Sequence, residues 1–367
     1  MGDVVVCVSR GGLMDRKENG HVWGVGIVGT GLIAHFHARA VAETPGARLV
    51  AVCGRNAART AAFASTYGCE AVSSLEDLVC RSELDVLMIA TPSGAHLDAA
   101  IAAARAGKHV LCEKPLEISR ARIDTMIHAH REAGTRLGCI FQLRYMSALE
   151  PIRAALREGR FGTLTYAGAY VPWWRDAAYY HDSSWRGTWK GDGGGALMNQ
   201  AIHMIDLLCD LLPPVISVSA HVSAVGHPGI ETEDSAVASL GFEGGAVGVV
   251  YGTTAAWPGQ AKRLEISGTD GTAVLTDDRL TRFSFREARD SDSSWVSHAP
   301  CETAAGAAQP GAMSHALHAA CLGAFLESLQ NGTPFAICGE SARRPVALIE
   351  AIYEAARTGQ TVRPNPD

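Results

Sequence analysis

No apolar run in this sequence reaches the roughly 18 to 20 residues that a bilayer-spanning helix needs, because charges or glycines interrupt each one. A membrane is therefore not expected as a partner. Dense Lys/Arg clusters are missing too, and 32 Lys and Arg against 38 Asp and Glu leave a formal charge of −6. Nucleic acid would find no electrostatic footprint here. None of the ten cysteines forms a C-x-x-C pair, and Cys7, Cys53, Cys69, Cys112 and Cys139 lie in apolar stretches. That pattern reads as reduced thiols in a cytoplasmic protein. The histidine pairs His35/His37, His128/His130 and His315/His318 lack a Cys or carboxylate at ligand spacing, so no metal is expected. A secretory signal is not expected either, since the short apolar stretch Val4 to Val8 follows Asp3 and charges come soon after. Residues 1–20 read as a flexible extension, with Met14 as an alternative start. No internal repeat is present.

What remains is an ordinary globular composition, 47% hydrophobic and 19% charged, on a chain of 367 residues. That length exceeds what one core usually serves, so two domains are expected. Residues 21–143 alternate strands and helices. Strands are expected at Val22–Val28, Arg48–Cys53, Leu84–Ala90, His109–Cys112 and Thr135–Gln142, with helices at Leu32–Glu43, Ala57–Tyr67, His96–Ala106 and Ser119–Ala133. This rhythm implies right-handed crossovers and a parallel, Rossmann-like sheet.

Residues 144–367 read as a second, α+β domain for substrate binding and oligomerisation. After a helix at Ala148–Glu158 and a strand at Leu164–Val171 comes an aromatic-rich stretch and a helix near Ala196–Leu212. Strands follow at Val215–Val225, Ser235–Phe242, Ala246–Thr254, Arg263–Gly268, Gly271–Thr276 and Leu280–Phe285. Short Gly-containing turns between them predict a large, mostly antiparallel open sheet. Its open face calls for a partner, so a homodimer or homotetramer through this sheet is expected. Asp290–Gly311 reads as a loop, and helices at Ser314–Asn331 and Ser341–Thr358 close the chain, where they can pack back on the first domain.

Gly29-Thr30-Gly31-Leu32-Ile33-Ala34 follows a strand and opens a helix, the context that a G-x-G-x-x-G/A dinucleotide turn requires. Gly29 allows the tight turn, Gly31 lets the backbone N–H groups of Leu32 and Ile33 approach a pyrophosphate, and Ala34 lets helix and sheet pack closely. The second strand ends Val52-Cys53-Gly54-Arg55, without the carboxylate that holds the ribose diol of NAD. Arg55 and Arg59 suit a 2′-phosphate instead, so NADP is the expected cofactor, with NAD as the alternative if both arginines are merely solvated.

Thr91-Pro92-Ser93 to His96, then Glu113-Lys114-Pro115, then Gly193 to Asp206 around His203, and the tail from His318 to Gly359 together resemble the Gfo/Idh/MocA oxidoreductase family. The resemblance runs from about Val22 to Val362. It implies that Thr91, Pro92, His96, Glu113 and Lys114 border the dinucleotide, and that Lys114 and His203 flank the reacting carbon. Hydride leaves a carbinol only as its hydroxyl proton departs, and an imidazole can accept that proton. His203 is then the general base, and Lys114 a hydrogen-bond donor to the developing alkoxide. Many members carry Asp four residues before the histidine, where this chain has Asn199. Either Asn199 orients substrate and ring, or another acid serves, with Asp192 and Asp206 as unranked candidates.

Trp173, Trp174, Arg175, Tyr179, Tyr180, Trp185, Arg186 and Trp189 crowd the stretch before that helix. Flat rings suit the C–H faces of sugars, and Arg pairs bidentately with a carboxylate or phosphate. Trp173, Arg175, Tyr180, Trp185 and Arg186, together with Arg144, Tyr145, Asn199 and His203, are the candidates for binding a carbohydrate or cyclitol in a cleft between domains. The expected function is NAD(P)-linked dehydrogenation of a secondary alcohol on a sugar, sugar derivative or inositol. A glycosidase that uses bound NAD transiently, and a non-catalytic dinucleotide-binding regulator, are the alternatives.

Overall fold

The computed structural model describes residues 20–297 and 314–364. The N-terminal extension up to residue 19 and most of the expected Asp290–Gly311 loop lie outside the described residues. What is described divides into two compact units, the first made of residues 20–116, 121–140 and 315–340, the second of the remainder.

The first unit is a six-stranded parallel sheet. Its strands are β1 (Trp23–Val28), β2 (Ala47–Cys53), β3 (Glu70–Val72), β4 (Val86–Ile89), β5 (His109–Cys112) and β6 (Leu137–Cys139), in the order β3-β2-β1-β4-β5-β6. This is the doubly wound topology expected from the alternating pattern, with the strand order reversing at β1 and β4. Val25, Ile27 and Val86 to Ile89 are buried, as parallel strands covered on both faces must be. β3 and the short helix Leu75–Val79 were not legible in the sequence. A three-residue edge strand offers too little periodicity to recognise. The last strand is shorter than Thr135–Gln142, and the chain then turns into a single 3₁₀ turn, Gln142–Tyr145. The helix Ala316–Asn331 belongs to this first unit.

The second unit is built on a seven-stranded sheet of β7 (Leu164–Pro172), β8 (Val215–Ser223), β9 (Ser235–Phe242), β10 (Val247–Thr253), β11 (Arg263–Gly268), β12 (Gly271–Thr276) and β13 (Arg279–Phe285). The order is β13-β12-β11-β7-β10-β9-β8, antiparallel except for the pair β7/β10. One face is apolar and buried through Ala236, Ala238, Leu240, Val250, Leu264, Ile266 and Leu275. The alternate residues Val237 and Val247 remain exposed, so the sheet keeps an open face as the sequence implied. The expected loop after β13 begins with a 3₁₀ turn, Asp290–Trp295, which Arg160 clamps by a bidentate pair with Asp292. No helix among the described residues is long and apolar enough to cross a membrane.

Candidate functional site

In the first unit, the turn after β1 is shaped by what its glycines avoid. Gly29 has φ +112°, and a Cβ there would stand 2.4 Å from the carbonyl oxygen of Ala90. Gly31, at the N-terminus of the helix Leu32–Glu43, is the opposite case. A Cβ on it would meet nothing within 4 Å, no side chain caps the helix, and no acidic residue occupies its first turn. An uncapped helix N-terminus with open space above it can hold an anion, so the residues fit a dinucleotide pyrophosphate. Leu32 and Ile33 bring the first helical N–H groups there, with Leu32 exposed and Ala34 fully buried behind.

At the tip of β2, Arg55 and Arg59 are both exposed. Asn56 caps the next helix by accepting from the Arg59 N–H at 3.0 Å, and the Arg59 guanidinium donates to the Thr30 carbonyl at 3.4 Å. Arg59 thus borders the phosphate turn. Gly54 is tightly enclosed, since a Cβ would lie 2.8 Å from Thr60 Oγ1 and 2.9 Å from Thr30 Cγ2.

Thr91 and Pro92 are half-buried at the end of β4, and His96 and Glu113 both have partners within the fold. His96 is buried, and its ring lies 3.1 Å from the Thr91 carbonyl on one side and 3.0 Å from the Pro115 carbonyl on the other. It ties the β4 loop to the Glu113-Lys114-Pro115 turn, whose last peptide bond is cis. Glu113 is buried and lies 2.9 Å from His37 Nε2, while its second oxygen accepts from the Lys114 N–H at 3.1 Å. Burial pushes this carboxyl up, but the contact with His37 and the charges of His37, His318 and Lys114 outweigh it and hold the group down at about 2. Both side chains therefore brace Lys114, which is itself half-buried.

In the second unit the expected helix near Ala196–Leu212 is two pieces, a π-helical turn Ala196–Ala201 and an α-helix Ile202–Leu211. Tertiary contacts explain the departure. The buried Glu233 carboxylate accepts from the N–H groups of Gly195 and Leu197, both at 2.9 Å, and from Tyr353 Oη at 2.9 Å. Side chains at 194 or 195 would collide with Tyr353 and with the Glu233 backbone, which accounts for the glycine run. Burial pushes the Glu233 carboxyl up to about 7 in spite of these donors. Such π-turns gather at functional positions. Nothing in the spacing of the sequence pointed to Glu233 or Tyr353.

This turn carries Asn199, whose amide donates to Asp192 Oδ1 at 2.8 Å and whose oxygen lies 3.4 Å from Tyr179 Oη. His203 begins the α-helix half-buried, with Phe141 edge-on at 6.0 Å between centroids. The two unranked acids separate here. Asp192 touches Asn199, whereas Asp206 is occupied by Arg144.

Arg144 is not available to a substrate as expected. It is 6% exposed and grips Asp206 through two nitrogens, with Asp210 at 2.8 Å and Ser341 Oγ at 3.0 Å completing its shell. Tyr180 is likewise tied into the sheet, bonded to Thr254 Oγ1 at 2.8 Å and packed on His227. Tyr145 is half-buried. The remaining aromatic-loop residues do converge. Arg175 is buried with its guanidinium 5.0 Å from the Trp173 ring, and Arg186 sits 4.1 Å from the Tyr179 ring and 5.6 Å from Trp185. Tyr179, not singled out for a role by the sequence, is the hub, because its hydroxyl also accepts from Gln200 Nε2 at 2.9 Å.

Comparison with known proteins places both parts of the chain in one family. Residues 23–141 match the oxidoreductase family with an NAD-binding Rossmann fold, and residues 150–274 match the Gfo/Idh/MocA C-terminal domain. A 1,5-anhydro-D-fructose reductase of Ensifer adhaerens is 29% identical over 91% of this chain and 96% of its own. An inositol 2-dehydrogenase of Rhizobium meliloti is 28% identical over 69% of this chain and 76% of its own. The WlbA dehydrogenase of Bordetella pertussis, solved with NADH and UDP-GlcNAcA, is 31% identical and superimposes with a TM-score of 0.84, covering 95% of this chain and 99% of that one. The dinucleotide turn, the Lys114 turn and the His203 helix thus lie on the two domains that define one group of enzymes, and this chain belongs to the Gfo/Idh/MocA family of NAD-binding oxidoreductases.

Proposed function

We propose that this enzyme interconverts a secondary alcohol and a ketone on a sugar, sugar derivative or inositol, with NADP preferred over NAD. The observation that carries the reading is that Lys114 and His203 are both retained, each on a braced element. Glu113 and His96 hold the turn of the first, and the π-turn leads into the helix of the second. A bound nicotinamide supplies the hydride acceptor or donor. His203 takes the proton of the substrate hydroxyl on a ring nitrogen, and Lys114 Nζ donates a hydrogen bond to the same oxygen, favouring the alkoxide as it develops. Asn199 orients the alcohol, itself held by Asp192. Arg55 and Arg59, with no carboxylate at the β2 tip, support the phosphorylated cofactor. The relatives are named as a reductase and dehydrogenases, which favours neither the glycosidase nor the regulator. The exposed face of the seven-stranded sheet, with Val237 and Val247, supports self-association through that face.

The test is a fluorescence titration with NADPH and NADH, followed by a screen of sugars and inositols at 340 nm. Tighter binding of NADPH, lost on replacing Arg55 and Arg59 by alanine, is the expected result. His203→Ala should cut turnover by about 10²- to 10⁴-fold while sparing dinucleotide binding. Equal turnover in that variant removes the general base.

A further inference from the structure

Tyr179 carries two cations on its ring. Arg186 Cζ lies 4.1 Å and Arg175 Cζ 5.4 Å from its centroid. Arg186 gives one N–H to the Tyr179 carbonyl at 3.1 Å, while its Nε is buried without a hydrogen-bond partner. Among the described residues no carboxylate forms an ion pair with it. Asp192, the acid of this loop, is engaged by Asn199 Nδ2 at 2.8 Å and by the Gly187 N–H at 3.1 Å. Burial, with a smaller push from the charge of Arg186, lowers the pKa of the Arg175 guanidinium.

A guanidinium such as that of Arg186, held in a partly dry site without an acidic partner, is an unfavourable arrangement unless an anion completes it. The position of the pair says whose anion this is. The Tyr179 hydroxyl contacts Asn199 and Gln200, so Arg186 stands one aromatic ring away from the turn that leads into His203. Resting on the reading of this chain as a sugar oxidoreductase, we propose that its substrate bears an anionic group, a carboxylate or a phosphate, which Arg186 binds with Arg175 as the second positive charge. A planar guanidinium held on a ring keeps its outer N–H edge in the geometry that suits either oxyanion. A neutral polyol would offer that outer edge no charge to complement its own.

The experiment compares matched ligands on the NADP-loaded protein by calorimetry, using glucose, glucuronate and glucose 6-phosphate, then the galacto and manno series and inositol with inositol phosphate. At least one anionic member should bind about 10- to 100-fold more tightly than its neutral counterpart, with a preference that shrinks as salt is raised. Whether the uronates or the phosphates show it identifies the source of the charge. Arg186→Met should collapse the ratio towards one, and Arg186→Lys should restore part of it, because the charge returns without the fork. No preference in any series, or equal losses for charged and neutral members in Arg186→Met, overturns the proposal. Turnover at 340 nm is read separately. Its absence on every pair sinks the oxidoreductase substrate reading, while the binding ratio still decides the anion site.

Discussion

The Asn199 amide donates its hydrogen bond to a carboxylate, Asp192 Oδ1 at 2.8 Å, and that acid is 1% exposed. An acid therefore already stands beside Asn199, the position where the family resemblance led Asp to be expected. Asn199→Asp should not restore a relay but create a pair of carboxylates at hydrogen-bond distance, which cannot both ionise at neutral pH. The pH–kcat profile of this variant should gain an ionisation above the ordinary carboxylate range, with kcat at pH 7 down by about 10-fold. A profile identical to that of the parent enzyme would mean that Asn199 and Asp192 are not coupled.

Gly29 and Gly31 should respond oppositely to alanine. At Gly29 the methyl would meet the Ala90 carbonyl at 2.4 Å on a backbone with φ +112°, so Gly29→Ala should lose about 1–3 kcal/mol, read by thermal denaturation. At Gly31 the methyl enters open space. Gly31→Ala should melt like the parent protein yet raise the dinucleotide Kd about 10-fold or more, because the methyl keeps the pyrophosphate from the helix N-terminus. Unchanged affinity would place the cofactor elsewhere.

Arg144 acts on stability. Replacing it with Met leaves Asp206 buried beside Asp210 without its partner, at a cost of about 3–5 kcal/mol by urea unfolding. Burial, against the pull of Arg144, raises Asp206 to about 6, so the variant should recover part of its loss in acid, where the carboxyl takes a proton. Arg144→Met with Asp206→Leu should be closer to the parent than Arg144→Met alone. A substrate-binding arginine would instead raise KM and leave unfolding untouched.

The two units should answer pH in opposite directions. In the first, burial lowers His109, His130 and His318 each to about 4. Their folded pKa values lie below the unfolded one near 6.5, so the unfolded chain binds more protons and stability falls as pH drops from about 6.5 to 4. Each contributes a slope on the order of 1.4 kcal/mol per pH unit. In the second, burial raises Glu233 to about 7 and Asp206 to about 6. These groups hold a proton that the unfolded chain has lost, so their stabilisation is full below about pH 4 and fades as pH rises through 6 to 7. Hydrogen exchange, corrected for the intrinsic rate, should show the first unit opening faster at pH 5 than at pH 7 and the second unit opening more slowly. His318→Gln should flatten the first response and Glu233→Gln the second.

The Rossmann sheet was legible because its chemistry is local. A strand, a glycine turn and a helix follow one another, and hydrophobic alternation marks which face is buried. Lys114 and His203 were singled out from short motifs, and their roles rest on the family resemblance. The buried partners of Arg144 and His96 were not legible, because a polar residue beside a motif looks the same in sequence whether it faces a ligand or a buried partner. Asp206 lies 62 positions from Arg144, and the Pro115 carbonyl 19 from His96.

By itself the sequence determined the class of fold, the glycine turn after the first strand and the family, since each rests on spacing within one element or on short motifs in order. Only the tertiary structure decided that Ala196–Ala201 winds as a π-turn, that Asp192 rather than Asp206 meets Asn199, and that Tyr179 gathers Arg175 and Arg186. Those outcomes depend on contacts between distant segments, Glu233 with Gly195 and Leu197 above all, where a buried carboxylate must find donors and takes the backbone N–H groups that the fold presents.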